Sequence, residues 1–190
     1  LFDQDDADSP RTIKVINERL KKYGLPGVIL ISHMRGATSF KDQVEKLKKE
    51  LPDAIIFSSI AFQVREFIRE VGVDDLKNII LSGISFLGEE SIRSFIRRKG
   101  IKMLIASAVP NPAKSNLEIV QNYRKEMDSK RYKYSNFSLE AYINTSILIN
   151  ALQHVKKPTY ENIEHYLESL KDFNFKGIKL SFNANTRSIA

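Results

Sequence analysis

The sequence predicts an α/β protein in which short apolar strands alternate with amphipathic helices to build a parallel sheet flanked by helices. Three observations predict it. Short, nearly unbroken apolar runs occur at 28–31, 54–57, 78–81 and 103–109. Between them lie segments whose apolar residues recur three and four apart, the spacing of one helix face. After Pro110-Asn111-Pro112 the rhythm changes to helices with a single short strand. Strands buried on both faces read as continuous apolar runs, and every parallel crossover must carry a helix.

An apolar start, Leu1-Phe2, leads into an acidic segment containing Asp3, Asp5, Asp6 and Asp8. Ser9 reads as a helix N-cap with Pro10 at the first helical position, and Ile13, Ile16 and Leu20 share a face up to Tyr23-Gly24. The strand at 28–31 is bounded by Pro26-Gly27 and Ser32-His33. A helix capped by Ser39 follows, marked by Phe40, Val44, Leu47 and Leu51. Strand 54–57 precedes a helix carrying Ile60, Val64, Phe67 and Val71, and strand 78–81 precedes one carrying Ile92, Phe95 and Ile96, closed by Gly100. The strand at 103–109 completes the series, so residues 1–108 are expected to form one α/β lobe. Residues 109–190 are expected to hold helices at 115–127, 138–154 and 159–170 and a strand at 177–182. One strand cannot make a layered sheet, so these helices are expected to pack on strands lying outside the 190 residues.

Composition narrows the chemistry. At 42% hydrophobic and 28% charged residues the chain lies in the ordinary globular range. Its apolar stretches are far shorter than the roughly 20 residues that cross a bilayer, so no direct membrane insertion is expected. The absence of cysteine excludes a disulfide framework, a thiolate zinc site and a cysteine nucleophile. The net charge of +7 comes from Lys and Arg interleaved with Asp and Glu. The densest basic cluster, Arg93, Arg97, Arg98, Lys99 and Lys102, holds no aromatic but Phe95, which sits in the apolar spacing of its helix; no nucleic-acid partner is expected. His33, His154 and His165 lack metal or triad spacing, and neither glycine-rich phosphate motif occurs. No metal and no cofactor are expected.

Two motifs invite a catalytic reading. Asp3-x-Asp5 at a strand end resembles the opening of the haloacid-dehalogenase phosphatase motif, which makes an Asp-dependent phosphatase the alternative from another class. Ala7, however, stands where that motif has Thr or Val, and no downstream Lys and paired-Asp set follows. Gly83-Ile84-Ser85-Phe86-Leu87-Gly88 looks like a nucleophile elbow whose second glycine comes one place late. A serine there reads as a ligand donor or a helix cap. No catalytic residue is expected.

A series of segments in order resembles the type 1 periplasmic binding proteins, the branched-chain amino-acid-like solute receptors of ABC transporters. Phe2-Asp3-Gln4-Asp5-Asp6-Ala7 is similar to the segment that opens their second lobe. Thr38-Ser39-Phe40 with Val44, Leu47 and Pro52-Asp53-Ala54 continues the series. So do Phe67-Ile68-Arg69 with Gly72, Ser85-Phe86 with Gly88, Val109-Pro110, Ser138-Leu139-Glu140-Ala141-Tyr142, and Phe173, Gly177 and Leu180-Ser181-Phe182. The resemblance implies a type 1 periplasmic-binding-protein-like fold with two lobes closing over a small polar solute, amino acid or related. Residues 1–108 would be the second lobe, and 109–190 the hinge crossing and the helical part of a first lobe that is incomplete in this chain. It implies a membrane ABC permease as partner and a periplasmic or extracellular location, or, as the alternative, the ligand-sensing domain of a receptor or regulator. Carried over by position, Asp8 and Ile60 stand where the family places aromatics, Ser9 stands for a neighbouring glycine, and Ser85, followed by Phe86, stands where some members place a glutamate. Asp8 would supply an anion to an ammonium, and Ser58 and Ser59 donors to a carboxylate.

Overall fold

The computed structural model describes residues 1–88, 90–185 and 188–189, which divide into two units, Leu1–Ser107 and Ala108–Ala190. In the first unit strands and helices alternate: β1 (Phe2–Asp5), α1 (Ser9–Lys22), β2 (Ile31–Met34), α2 (Lys41–Glu50), β3 (Ala54–Ser58), α3 (Ala61–Val71), β4 (Ile80–Gly83), α4 (Glu90–Arg98) and β5 (Leu104–Ile105). The five strands form one parallel sheet in the order β2-β1-β3-β4-β5. Register puts Phe2 opposite both Ile31 and Phe57, Phe57 opposite Gly83, and Ile55 opposite Leu81. Because strand side chains alternate, these residues share one face. That face meets Val44 and Leu47 of α2, Val64, Phe67 and Ile68 of α3, and Ile92, Phe95 and Ile96 of α4 in a single core. Phe2, Phe40, Phe57 and Phe67 lie at its centre, with ring centroids 4.3 to 6.2 Å apart. Such pairs add roughly 0.5–1.5 kcal/mol each beyond their buried area.

Several boundaries differ from expectation. The run at 28–31 lies mostly before β2, which extends instead through Ser32 and His33 to Met34. The reason is register. Leu1 donates its amino N–H to the Ile29 carbonyl (2.8 Å) and accepts from the Ile31 amide (2.8 Å), so the ladder grows forward along β1. β4 likewise begins at Ile80, and β5 covers only Leu104–Ile105 of the expected 103–109. α1 starts at Ser9 with Asp8 at the N-cap, one residue earlier than expected, because the Ser9 hydroxyl turns inward to the Asp3 carboxylate. α2 takes no cap from Ser39. Phe40 is its N-cap, and the Phe40 amide donates to both carboxylate oxygens of Glu70 at 3.0 and 2.9 Å. Leu51 is no core residue: it closes α2 in the left-handed conformation and is exposed. On the second sheet face α1 contacts β1, while Ile80 and Leu104 remain exposed where their apolar runs predicted burial.

The second unit is mainly helical, with α5 (Glu118–Ser129), α6 (Asn136–His154) and α7 (Tyr160–Ser169). The single strand expected at 177–182 is a hairpin, β6 (Phe173–Phe175) with β7 (Ile178–Leu180), followed by the short pair β8 (Phe182–Asn183) and β9 (Ser188–Ile189). Lys176 (φ 50°) and Gly177 (φ 91°) form its two-residue turn, the left-handed pair that matches strand twist. Ile119, Val120, Tyr123, Leu139, Ile143, Ile147, Phe175 and Leu180 form this unit's core. Phe137, Leu148, Ile149 and Leu152 of α6 are exposed, so this helix is apolar on both sides. Among the described residues no helix is long and apolar enough to cross a membrane.

Candidate functional site

In an open parallel sheet the carboxyl ends of the strands meet the amino ends of the helices, and the natural crevice lies where strand order reverses. Here the chain passes from β1 to β2 on one side and from β2 to β3 on the other, so the reversal lies between β1 and β3. The loops at that edge carry all six residues singled out from the sequence: Asp8 after β1, Ser58, Ser59 and Ile60 around the end of β3, and Ser85 and Phe86 after β4.

The loop after β1 is organised by Asp6. Its carboxylate accepts from Gln4 Nε2 at 2.9 Å and from the Asp8 amide at 3.0 Å, and Arg35 lies 3.8 Å away. The Gln4 bond first, then the Asp8 amide, hold the Asp6 carboxyl below its ordinary value. Asp8 is left exposed at the N-cap of α1 with a side chain that makes no capping bond. Asp3, in the nucleophile position of the phosphatase-like pattern, is buried and accepts from the Ser9 hydroxyl, so its carboxylate is not presented to a phosphoester.

At β3 the two serines separate. Ser58 pairs with Asp3 and is half-buried on the second face of the sheet. Ser59 faces the core, is only 4% exposed, and its hydroxyl lies 2.9 Å from His33 Nε2. Its hydroxyl is therefore engaged with the scaffold and not displayed at the edge. Ile60 is the N-cap of α3, 48% exposed, and supplies no side-chain cap. The amides of that first turn keep their unpaired donors and the positive end of the helix dipole. Ser85, half-buried, opens a 3-10 turn that ends at Gly88, and Phe86 in that turn is 59% exposed. The arrangement offers one carboxylate, hydroxyl and amide donors, and two exposed apolar side chains. Among the described residues no cluster of three or more His, Cys, Asp or Glu is placed to hold a metal ion.

Sequence reasoning missed Asp6, Gln4 and His33. For His33 the available signal was alternation: two residues after Ile31 on the same strand, it faces the core. Another opening, an apolar cavity of about 310 Å³, lies at the opposite edge, lined by Leu20, Leu25, Val28, Ile29 and Leu47 among others. A polar solute placed there would leave hydrogen-bonding groups unsatisfied.

The profile of the family described as Periplasmic binding protein matches residues 1–188. A search of curated proteins found no match. Among solved structures, a possible leucine/isoleucine/valine-binding protein from Rhodopirellula baltica SH 1 superimposes with a TM-score of 0.86 at 22% identity, covering 98% of this chain and 52% of that one. The leucine binding protein LivK from Thermotoga maritima gives 0.81 at 14% identity, over 98% and 53%. The substrate binding protein LivJ from Streptococcus pneumoniae, in complex with isoleucine, gives 0.72 at 16% identity, over 97% and 52%. The chain thus spans about half the length of the solved structures it matches. Strand order, helix order and the matched profile agree: the chain belongs to the periplasmic binding protein family, with the type 1 fold that its motifs resemble.

Proposed function

We propose that the protein captures a small polar solute, an amino acid or a related compound, between two lobes and delivers it to a membrane ABC permease from a periplasmic or extracellular location. Its output is binding, not catalysis. One observation carries the reading: the reversal-point edge displays the uncapped Asp8 carboxylate, the Ser58 and Ser85 hydroxyls, the open first turn of α3 and the exposed side chains of Ile60 and Phe86. An α-amino acid needs an anion for its ammonium, donors for its carboxylate and an apolar wall for its side chain. Similarity to a protein solved with isoleucine and to another solved with valine supports that class.

The first unit is then the second lobe, with the hinge crossing near Val109-Pro110. The second unit belongs to the first lobe. The exposed Leu148, Ile149 and Leu152 of α6 support this, because a cluster of large apolar side chains on a helix's outer side favours burial in a larger core. The test is a thermal-shift screen of the full-length protein against amino acids, small amides, carboxylates and sugars. A bound solute raises the midpoint by mass action, and the shift should shrink in Asp8→Ala and in Ser85→Ala. No hit, together with magnesium-dependent phosphate release from a generic ester that Asp3→Asn abolishes, would replace binding with phosphatase chemistry.

A further inference from the structure

We propose that His33 is a positioning residue: by holding Ser59 across the sheet it fixes the corner between β3 and α3 that the solute meets, an inference that rests on the solute-binding reading above. His33 is on β2 and Ser59 follows β3, with β1 running between them. The two side chains nevertheless meet over β1, Nε2 to Oγ at 2.9 Å, and are 3% and 4% exposed. His33 Nδ1 lies 3.0 Å from the Met34 carbonyl oxygen. A carbonyl only accepts, so Nδ1 carries the proton and Nε2 of the neutral ring is an acceptor. The Ser59 hydroxyl must then be the donor. The imidazole stacks on Phe2 at 4.7 Å and meets Phe40 edge-on at 5.3 Å, so it cannot swing aside without opening the aromatic centre of the core. Ser59 is flanked by Ser58 and Ile60, so anchoring it sets where both leave the sheet.

This hydrogen-bond direction needs a neutral ring. Protonation aims a second N–H at Ser59, whose hydroxyl proton must then find another acceptor, and it places a charge between two phenyl rings. Of the charged groups nearby, Asp3 on β1 favours the cation, but burial outweighs it and lowers the His33 pKa from its ordinary value. Arg35, in the turn just past β2, pairs with Asp6, and Glu70 of α3 is held on the Phe40 amide. The clamp with Ser59 as donor is therefore set at neutral pH and reversed in acid, when Nε2–H donates and the Ser59 hydroxyl proton must turn away.

The experiment uses the full-length protein. Long-range proton–nitrogen NMR should show His33 protonated at Nδ1 in its neutral form, with a midpoint below 6.5, and the amides of Ser58 and Ile60 should move with that same midpoint. In Ser59→Ala, His33 should still titrate while those amides stop following. With L-isoleucine as the probe, wild-type affinity should fall about tenfold for each pH unit below the His33 midpoint, and His33→Gln should give a flat profile. An Nε2-protonated ring, or amides of Ser58 and Ile60 that ignore the titration, would overturn the clamp. Coupled amides in a protein that binds no solute at any pH would uphold the clamp and overturn the functional reading instead.

Discussion

Burial sets the pH response of His33. Its pKa in the fold lies below the ordinary 6.5, so between the two values the unfolded chain binds more protons than the folded one. The stability involved is present above pH 6.5 and is lost as pH falls through that window. Urea midpoints should therefore drop between pH 7.5 and pH 5.5, and His33→Gln should reduce the drop; equal drops in both proteins would contradict this. Gly83 is fixed for a steric reason. A Cβ there would stand 2.4 Å from Leu87 Cδ1 and 3.3 Å from its Cγ, and Leu87 is fully buried. Gly83→Ala should cost about 1–3 kcal/mol in chemical denaturation, the range for overpacking a filled core. Asp8, Ile60, Ser85 and Phe86 were singled out by resemblance; that they lie along one edge was legible in the sequence, because strand ends in a parallel sheet share it, while their part in holding a solute is a proposal. The inward turn of Ser59 was not legible, because two adjacent serines look alike until strand alternation is anchored by a known register.

At the scale of elements, α2 shows a helix capped by tertiary structure. Neither Ser39 nor Phe40 supplies a side-chain cap; the Glu70 carboxylate of α3 receives the Phe40 amide with both oxygens. Glu70→Gln removes the charge that meets the helix dipole and should cost about 0.5–1 kcal/mol, read from the urea midpoint. A cap contributed from 30 residues away has no local signature, which is why Ser39 looked like the cap. The helices themselves were legible from apolar spacing. Strand limits were less so: β2 continues through Ser32 and His33 because its pairing with β1 is set by Leu1 and Ile31, whatever the polarity of the residues. The hairpin of β6 and β7 was hidden as well, since the expected strand began at Gly177 and β6 lies before the Lys176-Gly177 turn.

For the whole molecule, the alternation of strands and helices in the first unit was legible because a parallel sheet leaves a distinctive rhythm. The absence of such a sheet from the second unit was legible for the same reason. One side of α6 packs on α5 and the β6–β7 hairpin, while Leu148, Ile149 and Leu152 on its other side are exposed, the face proposed above to lie in a larger core. In the full-length protein Leu148→Ser should cost about 2 kcal/mol or more, as a core truncation does, whereas a solvated position would change stability by less than about 0.5 kcal/mol. Solute capture is proposed for the edge where β1, β3 and β4 end. The most direct test is to add L-isoleucine or L-valine to isotope-labelled full-length protein and map the amide shifts. Saturable shifts are expected at Asp8, Ser58, Ile60, Ser85 and Phe86 if this edge captures the solute. Shifts confined to Leu25, Val28 and Ile29 around the apolar cavity at the opposite edge, or none with any solute that stabilises the protein, would contradict it.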